Sequence, residues 1–194
     1  MDPELRLIER ARNGDRAAFE SLVDTHKGKA FALAFHFTGN VEDAKDLLQE
    51  AFVRAYVNIK KFRGGSSFYT WFYRILVNLC RDFLRRKRTR IKVLVDAPEP
   101  PEEDETPLEA ADRGPGPGEI LLNKEIREKV DEAVNMLPER QKSAFILKHM
   151  QGMRSGEIAS VMDCSESTVK VHLFRATKSL QKFLSPYLVT EGEG

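Results

Sequence analysis

The twelve residues from Phe62 to Tyr73 carry six aromatic side chains, Phe62, Phe68, Tyr69, Trp71, Phe72 and Tyr73, of the 17 in the chain (12 Phe, 4 Tyr, 1 Trp). Arg63, Arg74 and Arg81 interleave with them, and six basic residues occupy the eight positions 85–92. Aromatic rings stack on unpaired bases, contributing about 1–3 kcal/mol per base, while cations track the phosphate backbone. The combination suits single-stranded or locally melted nucleic acid better than intact duplex. Each member also has a plainer use. Trp71 and Phe72 are in helical register with Ile75, Leu76 and Leu79, which favours core packing. Phe62 lies in a Gly/Ser loop with no helical partner and is the better base-contact candidate; Tyr69 fits either role. The Arg85–Arg90 run also suits a helix end, where cations favour the macrodipole, although six cations exceed what capping needs.

A second cationic surface is expected near the C-terminus. Val169, Leu173, Ala176, Leu180 and Phe183 recur at alternating four- and three-residue steps, making one buried stripe. Lys170, Val171, Phe174, Arg175 and Lys178 fall opposite it, with His172 flanking. Such a face can place cations on phosphates and Lys, Arg or His tips on base edges in a major groove. Ser165 or Ser167 can cap this helix, leaving its positive N-terminus toward a phosphate. A short helix, a turn of about four residues at Asp163–Glu166 and a longer helix make a helix-turn-helix arrangement. An ordinary amphipathic helix with a solvated basic face has the same pattern.

A third surface has the opposite sign. Asp43, Asp46, Gln49 and Glu50 lie along one side of a helix spanning Glu42–Lys60, continued by Val53 and Arg54. Such a face repels DNA; it is either solvated or turned to a basic protein helix. Enzyme chemistry finds no footing. His26, His36, His149 and His172 are scattered, with no carboxylate spacing that marks a catalytic or metal site. Cys80 and Cys164 form neither a disulfide framework nor a CxxC pair; Cys80 is expected to face a core beside Leu79.

The surrounding sequence is helical by period. One helix opens at Leu5 and stops at Asn13-Gly14-Asp15; a second runs from Asp15 to Gly39-Asn40; a third is the acidic helix. A fourth starts at Ser67 or Phe68 and runs into the Arg85 cluster. From about Val95, prolines, glycines and acids replace apolar residues, a composition that cannot bury enough area to order itself. Helical period resumes at Glu119 and runs to Leu137; Pro138 then opens a helix Glu139–Met150, and Glu157–Met162 and Ser167–Leu184 follow. Charge follows the same division. Residues 1–92 hold 19 basic and 11 acidic residues (+8), 93–118 hold 1 and 8 (−7), and 119–194 hold 11 of each, which returns the net +1. The expected fold is all-α. Two small helical domains, 1–92 and 119–187, are joined by an acidic Pro/Gly-rich linker at 93–118 and followed by a tail at 188–194. The charged start lacks a signal-peptide stretch, and no apolar run is long enough to cross a bilayer. The chain is therefore expected to be cytoplasmic, without membrane insertion.

Three strings carry a family resemblance in one order. Asp43-Ala44-Lys45-Asp46-Leu47-Leu48-Gln49-Glu50-Ala51-Phe52-Val53-Arg54-Ala55 resembles the core-polymerase-binding segment of bacterial sigma factors. Lys60-Lys61-Phe62-Arg63-Gly64-Gly65-Ser66-Ser67-Phe68-Tyr69-Thr70-Trp71-Phe72-Tyr73-Arg74-Ile75 resembles their promoter-melting segment. Leu137-Pro138-Glu139-Arg140-Gln141, Gly156-Glu157-Ile158-Ala159 and Ser167-Thr168-Val169-Lys170 with Phe174-Arg175-Ala176 resemble their C-terminal domain. A connection of about 26 residues leaves no room for the middle domain of housekeeping members, so the likeness is to the extracytoplasmic-function (ECF) group of the sigma-70 family.

This resemblance implies a non-enzymatic transcription initiation subunit needing no cofactor. Asp43, Asp46, Gln49, Glu50, Val53 and Arg54 would contact core RNA polymerase at the coiled coil of its largest subunit, and the flap region would be a further contact. Lys60, Lys61, Phe62, Arg63, Ser66, Phe68, Tyr69 and Asn78 would engage the minus-ten element, the loop holding a flipped non-template base. Arg74, Arg81, Arg85 and Arg86 would hold backbone. Base capture favours the melted state, because only an unpaired base can enter. Ser167, Thr168, Lys170, Val171, His172, Phe174, Arg175 and Lys178 would meet the minus-thirty-five element as duplex. An anti-sigma protein acting in a stress or envelope response is a further family-level expectation. Two departures stand out: Arg154 occupies the place of the usual Ser or Thr cap, and Val171 and His172 replace polar residues or arginine. A stand-alone dimeric helix-turn-helix regulator is the alternative, but it leaves the aromatic loop and the acidic helix unexplained.

Overall fold

The computed structural model describes residues 3–95 and 129–188, and these are helical with no strand among them. Four helices form the N-terminal half: α1 (Pro3–Arg12), α2 (Arg16–Thr38), α3 (Val41–Asn58) and α4 (Phe68–Val95). Their limits follow from local chemistry. The Asp15 carboxylate accepts from the Ala18 N–H at 3.1 Å and caps α2, and this bond, with help from Arg10, holds its carboxyl below the usual value. Gly39 ends the helix at φ 69°, a left-handed conformation cheap for glycine, and donates its N–H to Phe35 O. Asn40 Oδ1 accepts from both Glu42 and Asp43 N–H groups to start α3. Ser67 Oγ accepts from Thr70 N–H at the start of α4.

Small residues let α3 lie close to its neighbours: Ala44, Ala51 and Ala55 have no exposed area. Leu22, Leu33, Phe72 and Leu76 complete the dry centre, and Phe52 stacks on Phe72 with centroids 4.8 Å apart. Cys80 is buried as expected, and burial pushes its thiol up to about 12.

The C-terminal half comprises α5 (129–136), α6 (Glu139–Phe145), α7 (Ser155–Met162) and α8 (Glu166–Leu188). The expected single helix Glu139–Met150 is α-helical only to Phe145; a π-helical turn, Ile146–Met150, finishes it. Leu137, Ile146, Leu147, Ile158, Val169 and Ala176 form this half's core. Other boundaries also moved. The helix expected through Lys60 tightens into a 3₁₀ turn at Ile59–Lys61, and α4 continues to Val95, past the expected domain limit at 92. The remainder of the expected linker, the helical pattern at Glu119 and residues 189–194 lie outside the described residues.

The two halves are docked. α4 packs on α7, and α2 packs on the π-helical turn. Tyr73 Oη donates to Gln151 Oε1 at 3.2 Å across the seam.

Candidate nucleic-acid and protein interfaces

The acidic surface is built on α3. Ala44, Leu47, Ala51 and Ala55 turn inward, so Asp46, Gln49, Glu50, Val53 and Arg54 are left exposed, with Asp43 half-buried. Arg54 pairs with Glu50 one turn away. Val57, 71% exposed, stands four residues after Val53 at 58%. The surface is thus a carboxylate row running into an apolar end. Val57 was not among the expected contacts; exposure of a large apolar side chain on a folded helix is the signal that finds it.

The aromatic segment corrects one expectation. Phe62 is not a free-standing wall in a loop: it is only 4% exposed, edge-on to Phe68 and 5.3 Å from Trp71. Phe68 is likewise a core residue at 1% exposure. The loop folds back because Phe62 finds a hydrophobic socket at the start of α4, which linear spacing cannot reveal. Trp71 and Tyr69 remain half-buried, whereas Phe72 and Tyr73 are fully buried. Tyr69 and Tyr73 rings lie 4.0 Å apart, and burial raises the Tyr69 phenol above its ordinary value. Lys60, Lys61, Arg63 and Ser66 are exposed around this floor, as are Asn78, Arg85 and Arg86 along α4. Arg63, Ser66, Trp71 and Arg74 line one side of a cleft whose other side comes from α7 and the turn after it.

The helix-turn-helix forms as expected. Ser165 Oγ accepts from Thr168 N–H at 3.2 Å and caps α8, while Asp163 turns the chain at φ 53°. Val169, Ala176 and Leu180 are buried, and Leu173 and Phe183 are half-buried. Ser167, Lys170, Val171, Phe174, Arg175 and Lys178 are exposed, while Thr168 and His172 are half-buried. Lys178 Nζ sits 4.8 Å over the Phe174 ring. Burial, then the charges of Arg140 and Arg175, push His172 below its ordinary value, disfavouring the charged imidazolium. At α7, only half a capping box exists: the Glu157 carboxylate accepts from Arg154 N–H at 2.8 Å. An arginine side chain has no acceptor to return the bond.

Residues 22–90 match the family Sigma-70 region 2, and residues 127–180 match Sigma-70, region 4. The RNA polymerase sigma-H factor of Pseudomonas aeruginosa is 33% identical over 195 residues, covering 96% of both chains. This chain belongs to the sigma-70 family. Within it, the ECF RNA polymerase sigma-E factors of Haemophilus influenzae and Escherichia coli are each 33% identical over 190 residues. They cover 94% of this ECF sigma factor, which spans 95% and 94% of their respective lengths. The fold recurs in the structure of CnrH bound to the cytosolic domain of CnrY, at TM-score 0.66, 24% identity, 95% of this chain and 99% of that one. It recurs also in the sigma factor RpoE of Bartonella quintana in complex with the anti-sigma factor NepR, at TM-score 0.64 and 24% identity, covering 86% and 96%. Among the described residues of this sigma factor, no group of His, Cys, Asp and Glu is arranged to hold a metal, and no helix is long and apolar enough to cross a membrane.

Proposed function

We propose that this ECF sigma factor brings core RNA polymerase to its promoters through three surfaces that divide the work. The α3 face, Asp43, Asp46, Gln49, Glu50, Val53 and Arg54, takes the coiled coil of the largest polymerase subunit, and the C-terminal half also meets the flap region. Lys60, Lys61, Arg63, Ser66, Tyr69 and Asn78 engage the melted minus-ten strand above the Phe62–Phe68 floor. Arg74, Arg81, Arg85 and Arg86 hold that strand's backbone. Ser167, Thr168, Lys170, Val171, His172, Phe174, Arg175 and Lys178 meet the minus-thirty-five duplex. The protein acts in the cytoplasm, without catalytic residues of its own. An anti-sigma protein restrains it until a stress or envelope signal; the similar sigma factor RpoE of Bartonella quintana is held in complex with the anti-sigma factor NepR.

One observation carries the reading: an exposed acidic and apolar helix face, unsuited to DNA, shares a chain with two cationic surfaces built for unpaired and paired strands. A stand-alone regulator has no use for the first of these. Run-off transcription on fragmented genomic DNA, using purified core polymerase with and without the protein, tests it. Discrete new transcripts are expected, and their upstream sequences define both elements. Binding to core polymerase without transcripts would point to an antagonist. Specific promoter binding in the absence of polymerase would support the regulator instead.

A further inference from the structure

Taken with the reading above, which turns α8 toward duplex DNA, the outward face of that helix has a chemistry of its own. Successive side chains of an α-helix stand about 100° apart. On that wheel the inward residues Val169, Leu173, Ala176 and Leu180 fall within about 60° of one another. Val171, in the second turn of α8, lies about 170° from their mean direction. It therefore stands at the crest of the opposite face. Lys178 shares the crest two turns on, while Phe174 and Arg175 flank Val171 at about 60° and about 40°. His172 lies nearer the inward stripe, and its Nδ1 is buried with no hydrogen-bond partner among the described residues.

The crest is apolar where it should meet DNA most closely. Val171 is 45% exposed and Phe174 61%, and residues three apart on a helix are neighbours. Lys170, Arg175 and Lys178 stand exposed around this strip, none with a carboxylate partner among the described residues. The cations suit phosphates; the strip between them does not. In a recognition helix the residues near the N-terminus are those that reach base edges in the major groove. A valine there offers neither donor nor acceptor. Set against an amino or carbonyl edge, it would displace water without replacing the lost hydrogen bond, which weakens binding. Among the four bases, only thymine presents an apolar group in that groove, its C5 methyl.

We propose that Val171 reads a thymine methyl in the minus-thirty-five duplex, and that this element carries thymine at the position Val171 faces. Selection has two parts. Contact between the methyl groups favours thymine, and the dry valine surface opposes any base that needs a hydrogen bond at that place.

The test replaces each thymine of the minus-thirty-five element, as defined by the run-off transcripts, with deoxyuridine, which lacks only the methyl. Competition assays measure how wild-type and Val171→Ser holoenzymes bind the resulting duplex promoters. At one position the wild type is expected to lose about fourfold in affinity with uracil, the ratio that burial of a single methyl group gives. Val171→Ser should bind the two templates equally. Comparing the two ratios removes any effect of uracil on the duplex itself. Circular dichroism should show unchanged helicity; if Val171→Ser loses it, Val171→Ala takes its place, with a ratio smaller than the wild type's. An element without thymine, or one in which the wild type needs no thymine methyl, overturns the proposal. So does a methyl dependence that the variant retains in full, which would assign the contact to Phe174. If the wild type yields no transcripts, the sigma reading itself fails and this assignment falls with it.

Discussion

At the scale of single residues, two side chains separate packing from recognition. Phe62 is held by Phe68 and Trp71, so Phe62→Ala should lower stability by about 3 kcal/mol, as for other buried aromatic truncations. Urea unfolding checks this, and a change below about 0.5 kcal/mol would return Phe62 to the surface. Val53 behaves in the opposite way. It is 58% exposed beside Glu50, and removing it leaves no cavity. Val53→Asp is expected to leave the melting temperature nearly unchanged while weakening core polymerase binding tenfold or more, about 1.4 kcal/mol. Titration of labelled core enzyme with wild type and variant measures the ratio; equal affinities would remove the α3 apolar end from the interface.

At the scale of the element, the helix starts are uneven. Asp15, Asn40, Ser67 and Ser165 each accept a backbone N–H. α7 begins at Arg154 with no side-chain acceptor, as α6 does at Pro138. A Ser, Thr, Asp or Asn at an N-cap typically contributes about 1 kcal/mol. Arg154→Ser should therefore stabilise the C-terminal half by about that amount, with the Glu157 bond retained. Thermal unfolding of the full chain reads the gain, and a loss would mean that the arginine serves through packing or contact with another molecule. The same reasoning explains why α8, capped by Ser165, has an ordered first turn.

At the scale of the whole molecule, acid should loosen the fold. His26, His36 and His172 are all pushed below their ordinary value of 6.5, each by burial first. Unfolded chains therefore bind more protons than the folded one in this region. The contribution of these groups is complete above 6.5 and is lost as pH falls through their lower folded values. A urea midpoint lower at pH 5.5 than at pH 7.5 is expected; a flat or rising midpoint would contradict the burial of these imidazoles. His36, at the end of α2, also feels Asp131 of α5, whose charge raises the imidazole again and so offsets part of this effect.

Local pattern alone determined the all-α class, the four N-terminal helices, the helix-turn-helix and the signs of the three surfaces. Helical period, caps and glycine stops act over a few residues and are written directly in the chain. The inward stripe of α8 and the burial of Cys80 were legible for that reason, as was the exposed row Asp46-Gln49-Glu50-Val53. Tertiary structure decided what those elements meet. Phe62 became floor because Phe68 and Trp71, distant by a folded loop, offered a socket. Lys142, an unremarked cation on a short helix, became buried because the C-terminal end of α2, 105 residues away, offered a carbonyl. Arg74 and Arg81 found carboxylates across the seam for the same reason. Partners separated by so many residues are chosen by the packing of whole helices, and no spacing within a helix encodes that choice.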